Sequence, residues 1–193
     1  MRPMDFAMRA TANKLVDYLC DDPENHMQSM FDKLNAISPD ALFPSQREAF
    51  RRVIQDKNNM YDLLMRVMAL NPAVRNDLLK TFLVEGNLIA WGKQEKAREK
   101  YQCNIPWAIL LDPTSACNLH CTGCWAAEYG HKLNLSFETI DSIITQGKQL
   151  GCHIYIYTGG EPLVRKRDLI RLCEKHPDCA FLCFTNATLI DEE

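Results

Sequence analysis

Three cysteines stand close together in the run Cys117-Asn118-Leu119-His120-Cys121-Thr122-Gly123-Cys124. Thiolates are soft ligands, suited to iron–sulfur clusters and to zinc. Three of them at the spacing C-x-x-x-C-x-x-C cannot hold every iron of a four-iron cube. They hold three and leave the fourth with an open coordination position, where a further ligand can bind and react. A second run, Thr158-Gly159-Gly160-Glu161-Pro162, follows some forty residues on. Glycines lack Cβ atoms, so the backbone at Gly159 and Gly160 can approach a ligand closely and take unusual dihedrals. Read alone, Gly-Gly-Glu-Pro is a turn before a helix.

The elements around these runs alternate. Trp107 to Leu111 is a continuous apolar stretch, the pattern of a parallel strand buried on both faces, and Asp112-Pro113 stops it. Ser136 is placed to cap a helix whose apolar residues are Phe137, Ile140, Ile143, Ile144 and Leu150, ending at Gly151. His153 to Tyr157 reads as a second strand, and Pro162 suits the first turn of a second helix carrying Leu169, Ile170, Leu172 and Cys173. Phe181 to Phe184 reads as a third strand, followed by Thr185-Asn186-Ala187-Thr188, and Asp191-Glu192-Glu193 as the acidic first turn of a third helix. Such βαβαβ units wind right-handed into parallel sheets and place ligands at the C-terminal ends of their strands. Both chemical runs fall there.

With these two motifs in this order, residues from about Trp107 to Glu193 resemble the radical S-adenosylmethionine (SAM) superfamily. The resemblance implies an α/β fold, the first βαβαβ units of a partial barrel. It implies that Cys117, Cys121 and Cys124 bind a 4Fe–4S cluster and that SAM sits on its open iron. It implies cofactor contacts from Thr158, Gly159, Gly160, Glu161, Gly123 and Asn186, and a reducing electron donor such as flavodoxin or ferredoxin. The implied activity is reductive cleavage of SAM to a 5′-deoxyadenosyl radical that acts on a substrate the sequence does not identify. The residue before the third cysteine is aromatic in many members and is Gly123 here, with Trp125 after the cysteine. Relatives often have Thr-Asn-Gly-Thr where this chain has Ala187. The usual core holds six βα units, and this chain supplies about half of them, so it is expected to be part of a longer protein.

The first hundred residues read differently. Residues 1–104 are expected to form an all-helical domain with a linker helix, and residues 105–193 the half barrel. Asp5 to Leu19 is a first helix, and Pro23 opens a second carrying Met27, Met30, Phe31 and Leu34. Arg47 to Ile54 follows, then Met60, Leu63, Leu64, Val67 and Met68 at helical spacing, stopped by Asn71-Pro72. Leu78, Leu79, Phe82 and Leu83 make another apolar face, and Lys93 to Lys100 a charged, solvated connector. All eight methionines lie at or before Met68, as helix core rather than a docking surface.

The 193 residues are 47% apolar with a formal net charge of −3, which gives no indication of nucleic acid as a partner. No apolar run is long enough to span a bilayer, and charges interrupt any signal-peptide core, so a cytoplasmic location is expected. Nine cysteines without a secretion signal argue for reduced thiols, and the six outside the motif read as small buried apolar residues. Two other readings use the same cysteines. One is a structural zinc site with Cys152 or His120 as the fourth ligand, and the other an iron–sulfur electron carrier without SAM chemistry. Zinc sites commonly pair short-spaced ligands, and this chain has no second C-x-x-C; an electron carrier leaves Gly-Gly-Glu-Pro unexplained. His120 reads as a loop residue or a neighbour tuning the cluster, and Asp112 as a loop cap or cavity lining.

Overall fold

A computed structural model describes residues 3–126, 130 and 132–191. The chain divides into two compact units, Met1–Trp91 and Gly92–Glu193.

In the first unit, prolines and short polar caps punctuate the helices. Helix α1 spans Pro3–Asp21. Asp22 caps α2 (Pro23–Ile37) by accepting from Asn25 N, Pro44 opens α3 (Pro44–Asp56), Asn58 caps α4 (Asn59–Met68), and Asn71 caps α5 (Pro72–Leu79). Each cap satisfies an orphan N–H, and proline at the first position loses nothing by lacking one. The chain then continues as a π-helix over Lys80–Ile89.

Two expected faces hold only in part, and on α4 Leu64, Val67 and Met68 do pack into the core. On α4, Met60 and Leu63 are about half exposed, while Tyr61 and Met68 are buried beside Leu19, Met27, Met30 and Phe31. Tyr61 and Met68 are seven apart and share the buried face. In the π-helix, i→i+5 bonds widen the turn. Thr81, Val84 and Leu88 face inward there, and Phe82 faces out. Arg9 of α1 holds Glu85 with both arms of its guanidinium, Nε–Oε1 at 2.5 Å and a second terminal nitrogen to Oε2 at 2.9 Å.

Helix α6 (Ala90–Tyr101) carries the charged run, yet within the second unit one face of it is buried. Gln94 is 2% exposed and donates to the Gly151 carbonyl at 2.8 Å, so the helix is not wholly solvated as its composition suggests. Strands β1 (Ile109–Leu111), β2 (Ile154–Tyr157) and β3 (Ala180–Cys183) form a parallel sheet in the order β1-β2-β3. Helix α7 (Phe137–Leu150) links the first two, with Ser136 Oγ accepting from Thr139 N and Gly151 ending it at φ +91°. A 3-10 turn (Pro162–Arg165) leads into α8 (Lys166–Lys175), which links the second and third. The expected third helix falls on Asp191-Glu192-Glu193; Glu192 and Glu193 lie outside the described residues.

Alternation along the strands assigns the two sheet faces. Ile109, Leu111, Tyr155, Tyr157, Phe181 and Cys183 pack with Ile140, Ile144, Leu169 and Leu172 of α7 and α8. The other face carries the register row Leu110–Ile156–Leu182, and Leu110 and Leu182 are 57% and 51% exposed. The expectation of strands buried on both sides is therefore corrected. The two helices cover one face, and the described residues leave the other open. The near face is closed by Tyr155, whose hydroxyl donates to the carbonyls of Ile144 and Cys152 at 3.0 Å each. A Cβ at Gly147 of α7 would lie 2.3 Å from that hydroxyl, so only glycine lets the helix seat there.

Candidate functional site

At the C-terminal end of the sheet the two chemical runs meet, backbone to backbone. Thr158 N donates to Leu111 O at 2.9 Å, Gly160 N to Thr114 O at 3.0 Å, and Glu161 N to Ala116 O at 2.8 Å. The pairing of β1 with β2 thus continues past the strand ends into the segment just before Cys117. This close approach explains the glycines. A Cβ at Gly160 would lie 2.3 Å from Ala116 O, and one at Gly159 2.6 Å from Thr114 O. Gly159 also has φ +106°, which an L side chain rarely adopts. The space the pair leaves is filled by the cysteine segment itself, rather than standing open for a ligand at those Cα positions.

The cysteine turn has its own logic. Cys124 N donates to Cys121 O at 3.2 Å, closing a turn in which Gly123 takes φ +75°. A left-handed residue at the third position is what a type II turn requires. Nothing lies within 4 Å of a Cβ built on Gly123, so the dihedral and not crowding selects glycine there. Leu119 N points at Cys117 Sγ, 3.4 Å away. Cys121 is exposed, Cys117 and Cys124 are partly so, and all three are free thiols. Among the described residues no three Cys, His, Asp or Glu side chains are gathered closely enough to hold a metal ion.

Glu161 is 1% exposed, and its carboxylate faces inward. Oε1 accepts from Leu163 N at 2.9 Å and Thr185 Oγ1 at 2.7 Å, and Oε2 accepts from Asn186 N at 2.8 Å. The one carboxylate caps the 3-10 turn and fastens the segment after β3. Asn186 in turn donates to Asn118 Oδ1 at 3.0 Å and accepts from Thr188, whose hydroxyl also accepts from Asn118 Nδ2 at 2.8 Å. Three segments are therefore joined: the cysteine turn at Asn118, the glycine turn at Glu161 and the β3 end at Thr185 to Thr188. Ala187 sits in that last turn at φ +63°.

Sequence reasoning missed Asn118, Thr185, Thr188 and Arg165. Arg165 donates to Pro113 O at 2.9 Å and to Leu135 O, and pairs with Asp168 at 2.6 Å. Asp112 directly follows β1, with its Cβ and Cγ close beside Gly159.

The other cysteines divide by burial. Cys20, Cys152 and Cys179 are buried, Cys173 and Cys183 partly so, and Cys103 is exposed, which departs from the uniform burial expected. Burial pushes the Cys173 thiol up to about 11 and the Cys179 thiol up to about 12, and raises Cys152 as well. These three thiols therefore stay protonated at neutral pH in the metal-free chain. Cys152 is fully buried before the N-terminal end of β2, and its Sγ lies near the carbonyls of Trp107 and Ile154. The cysteine turn follows the C-terminal end of β1, the opposite end of a parallel sheet. Cys152 is therefore no fourth ligand for it.

Residues 111–193 match the family model of the Radical SAM superfamily, and that part of the chain is a domain of this superfamily. The chain is also 33% identical over 104 residues to an uncharacterized protein of Archaeoglobus fulgidus. That match spans 52% of this chain and 24% of the relative, so the chain covers about a quarter of that protein's length. No solved structure matches the chain. No helix among the described residues is long and apolar enough to cross a membrane.

Proposed function

We propose that the chain carries the cluster-binding half of a radical SAM enzyme. The observation that carries this reading is the pairing of Gly160 N with Thr114 O and of Glu161 N with Ala116 O, because it joins the three-cysteine turn to the glycine turn at the C-terminal ends of adjacent parallel strands. The donor set suits the group by its chemistry: three soft sulfur ligands stand within eight residues, one of them facing a backbone N–H, and a cluster would have to gather them. Cys117, Cys121 and Cys124 would hold a 4Fe–4S cluster, with the methionine moiety of SAM on the fourth iron. Such a cluster would supply the electron for reductive cleavage of SAM, the hard chemistry that cofactors carry in such sites.

The chain's own residues place and shield. The Thr158 and Gly159 carbonyls and the backbone at Gly123 are the polar groups offered to SAM. Glu161 and Asn186 act through the loops they hold, since their side chains are already engaged with Leu163, Thr185, Asn118 and Thr188. The row Leu110–Ile156–Leu182 gives the open face of the sheet an apolar surface beside the site. The electron donor would be a flavodoxin- or ferredoxin-like protein, in a reducing cytoplasm.

The test is anaerobic reconstitution with iron and sulfide, followed by assay of 5′-deoxyadenosine from SAM with dithionite, beside Cys124→Ala. Product that depends on Cys124 is the expected result. Stoichiometric zinc and no cluster after the same treatment would sink the reading. A cluster without SAM cleavage would leave an electron carrier.

A further inference from the structure

The cysteine-bearing segment leaves the sheet after β1 and returns before α7, and its two ends are drawn together. Ser115 N donates to Leu133 O at 2.9 Å, Leu135 N to Pro113 O at 3.1 Å, and Leu133 N to Ser115 Oγ at 3.0 Å. Thr114 and Asn134 form an antiparallel bridge between these ends. Pro113 and Thr114 are buried at this neck.

One cation sits across it. The Arg165 side chain is 15% exposed, and one of its terminal nitrogens donates to both Pro113 O and Leu135 O, the carbonyls where the segment departs and returns. Nε and the other terminal nitrogen are both held by Asp168 Oδ2, at 3.1 Å and 2.6 Å, which fixes the plane of the fork. Arg165 closes the 3-10 turn that starts at Pro162, directly after the Gly-Gly-Glu run. A planar guanidinium can satisfy a carboxylate and two carbonyls at once, whereas an ammonium has no such fork.

We propose that Arg165 is a positioning residue that clasps the neck of the cysteine segment and so fixes where Cys117, Cys121 and Cys124 stand relative to the glycine turn. The clasp itself stands on the metal-free geometry; its consequence for an iron–sulfur cluster rests on the function proposed above. Arg165 touches no reacting atom. Its effect passes through the backbone from Pro113 to Ala116 and reaches the cysteines through that segment.

The experiment compares the full chain with Arg165→Met, Arg165→Lys and, as a control ion pair at the other end of the sheet, Lys148→Ala. Amide hydrogen exchange is read first, before iron is supplied. Losing charge-assisted hydrogen bonds at the neck should speed exchange over residues 114–124 by about tenfold or more while β2 keeps its protection. Arg165→Lys should give a smaller increase, and Lys148→Ala none in this segment. Iron and sulfide are then added, and the electron paramagnetic resonance of the reduced cluster is recorded with and without SAM. Arg165→Met should lower iron per chain at limiting iron and broaden the signal, with Arg165→Lys between it and the parent.

Unchanged exchange over 114–124 in a folded Arg165→Met chain would overturn the proposal, as would equal loosening by Lys148→Ala. Should Arg165→Met not fold, Arg165→Lys carries the same test, and exchange no faster than in the parent again overturns it. Faster exchange in a chain whose parent takes up no cluster would keep the clasp and overturn the cluster reading. Normal cluster uptake by the parent with an unaltered loop in the variants would overturn the clasp alone.

Discussion

The Glu161 carboxylate accepts a hydrogen bond from Asn186 N at 2.8 Å, across 25 residues of sequence, while its other oxygen takes Leu163 N and Thr185 Oγ1. A buried carboxylate with three internal donors is a joint between two loops. Glu161→Gln keeps the shape but replaces one acceptor oxygen by an NH2 group. Whichever way the amide turns, that group meets a backbone N–H, of Leu163 or of Asn186. The expected cost is about 2–3 kcal/mol, the range for a lost hydrogen bond to a charged group with a partner left unsatisfied. Urea unfolding of the metal-free chain measures it. A variant as stable as the parent would show that the carboxylate's internal partners add nothing to the fold.

The glycines make a separate prediction. Gly160→Ala puts a Cβ against Ala116 O and Ser115 O, both backbone atoms that cannot swing aside. The cost should be about 1–3 kcal/mol, as for other overpacked sites. It should appear as faster amide exchange at Gly160 and Glu161, whose N–H groups pair with the cysteine segment. Gly123→Asn meets open space at a left-handed φ that asparagine tolerates, and should leave stability within about 0.5 kcal/mol. The pair of measurements separates a glycine required for contact from one required for a dihedral.

Much of this arrangement was legible because its signals are local. Ser136 and Gly151 mark the ends of α7, Asn71-Pro72 ends α4 and opens α5, and the two motifs sit beyond β1 and β2 as the alternation of elements implied. What was not legible depends on partners distant in sequence. Leu110 and Leu182 look as apolar as Leu111, and only the placement of α7 and α8 on one face decides which is buried. Arg165 lies in a basic run, Arg165-Lys166-Arg167, and its carbonyl partners are 30 and 52 residues away. Nothing local to Glu161 shows that Thr185 and Asn186 return to it.

Asp178 predicts a pH dependence. Burial pushes its carboxyl up, but the hydrogen bond and charge of Lys148, with Nζ at 2.6 Å, together with His153, pull it further down, to a net value below the ordinary one. His153 also holds the Asp178 carbonyl through Nδ1 at 3.0 Å, which ties the turn before β3 to the start of β2. The unfolded chain therefore takes up the Asp178 proton at a higher pH than the folded chain does. The stability this supplies is complete above the ordinary carboxylate pKa of about 4 and is lost as pH falls through the folded value. Thermal unfolding of the metal-free chain between pH 3 and pH 7, run beside Asp178→Asn, checks it. The melting temperature of the variant should fall less steeply on the acid side, and parallel curves would contradict the assignment.

Ala187 offers a test with the opposite sign. It occupies φ +63° in the turn after β3, where an L residue pays about 1–2 kcal/mol for the contact of its Cβ with the carbonyl. Its neighbours hold it there: Ala187 N donates to Thr185 Oγ1 at 3.0 Å, and Thr188 N to Asn186 Oδ1 at 3.0 Å. Glycine removes the steric cost but adds about 0.5–1 kcal/mol of backbone entropy to be lost on folding. Ala187→Gly should therefore stabilise the metal-free chain by roughly 0.5–1 kcal/mol, as the difference of these terms. Because Asn186 and Thr188 in this turn bond Asn118, relief of the strain should also slow exchange in the cysteine turn. Destabilisation by Ala187→Gly would mean that the entropy outweighs the strain and that the alanine holds the turn rigid at an energetic advantage.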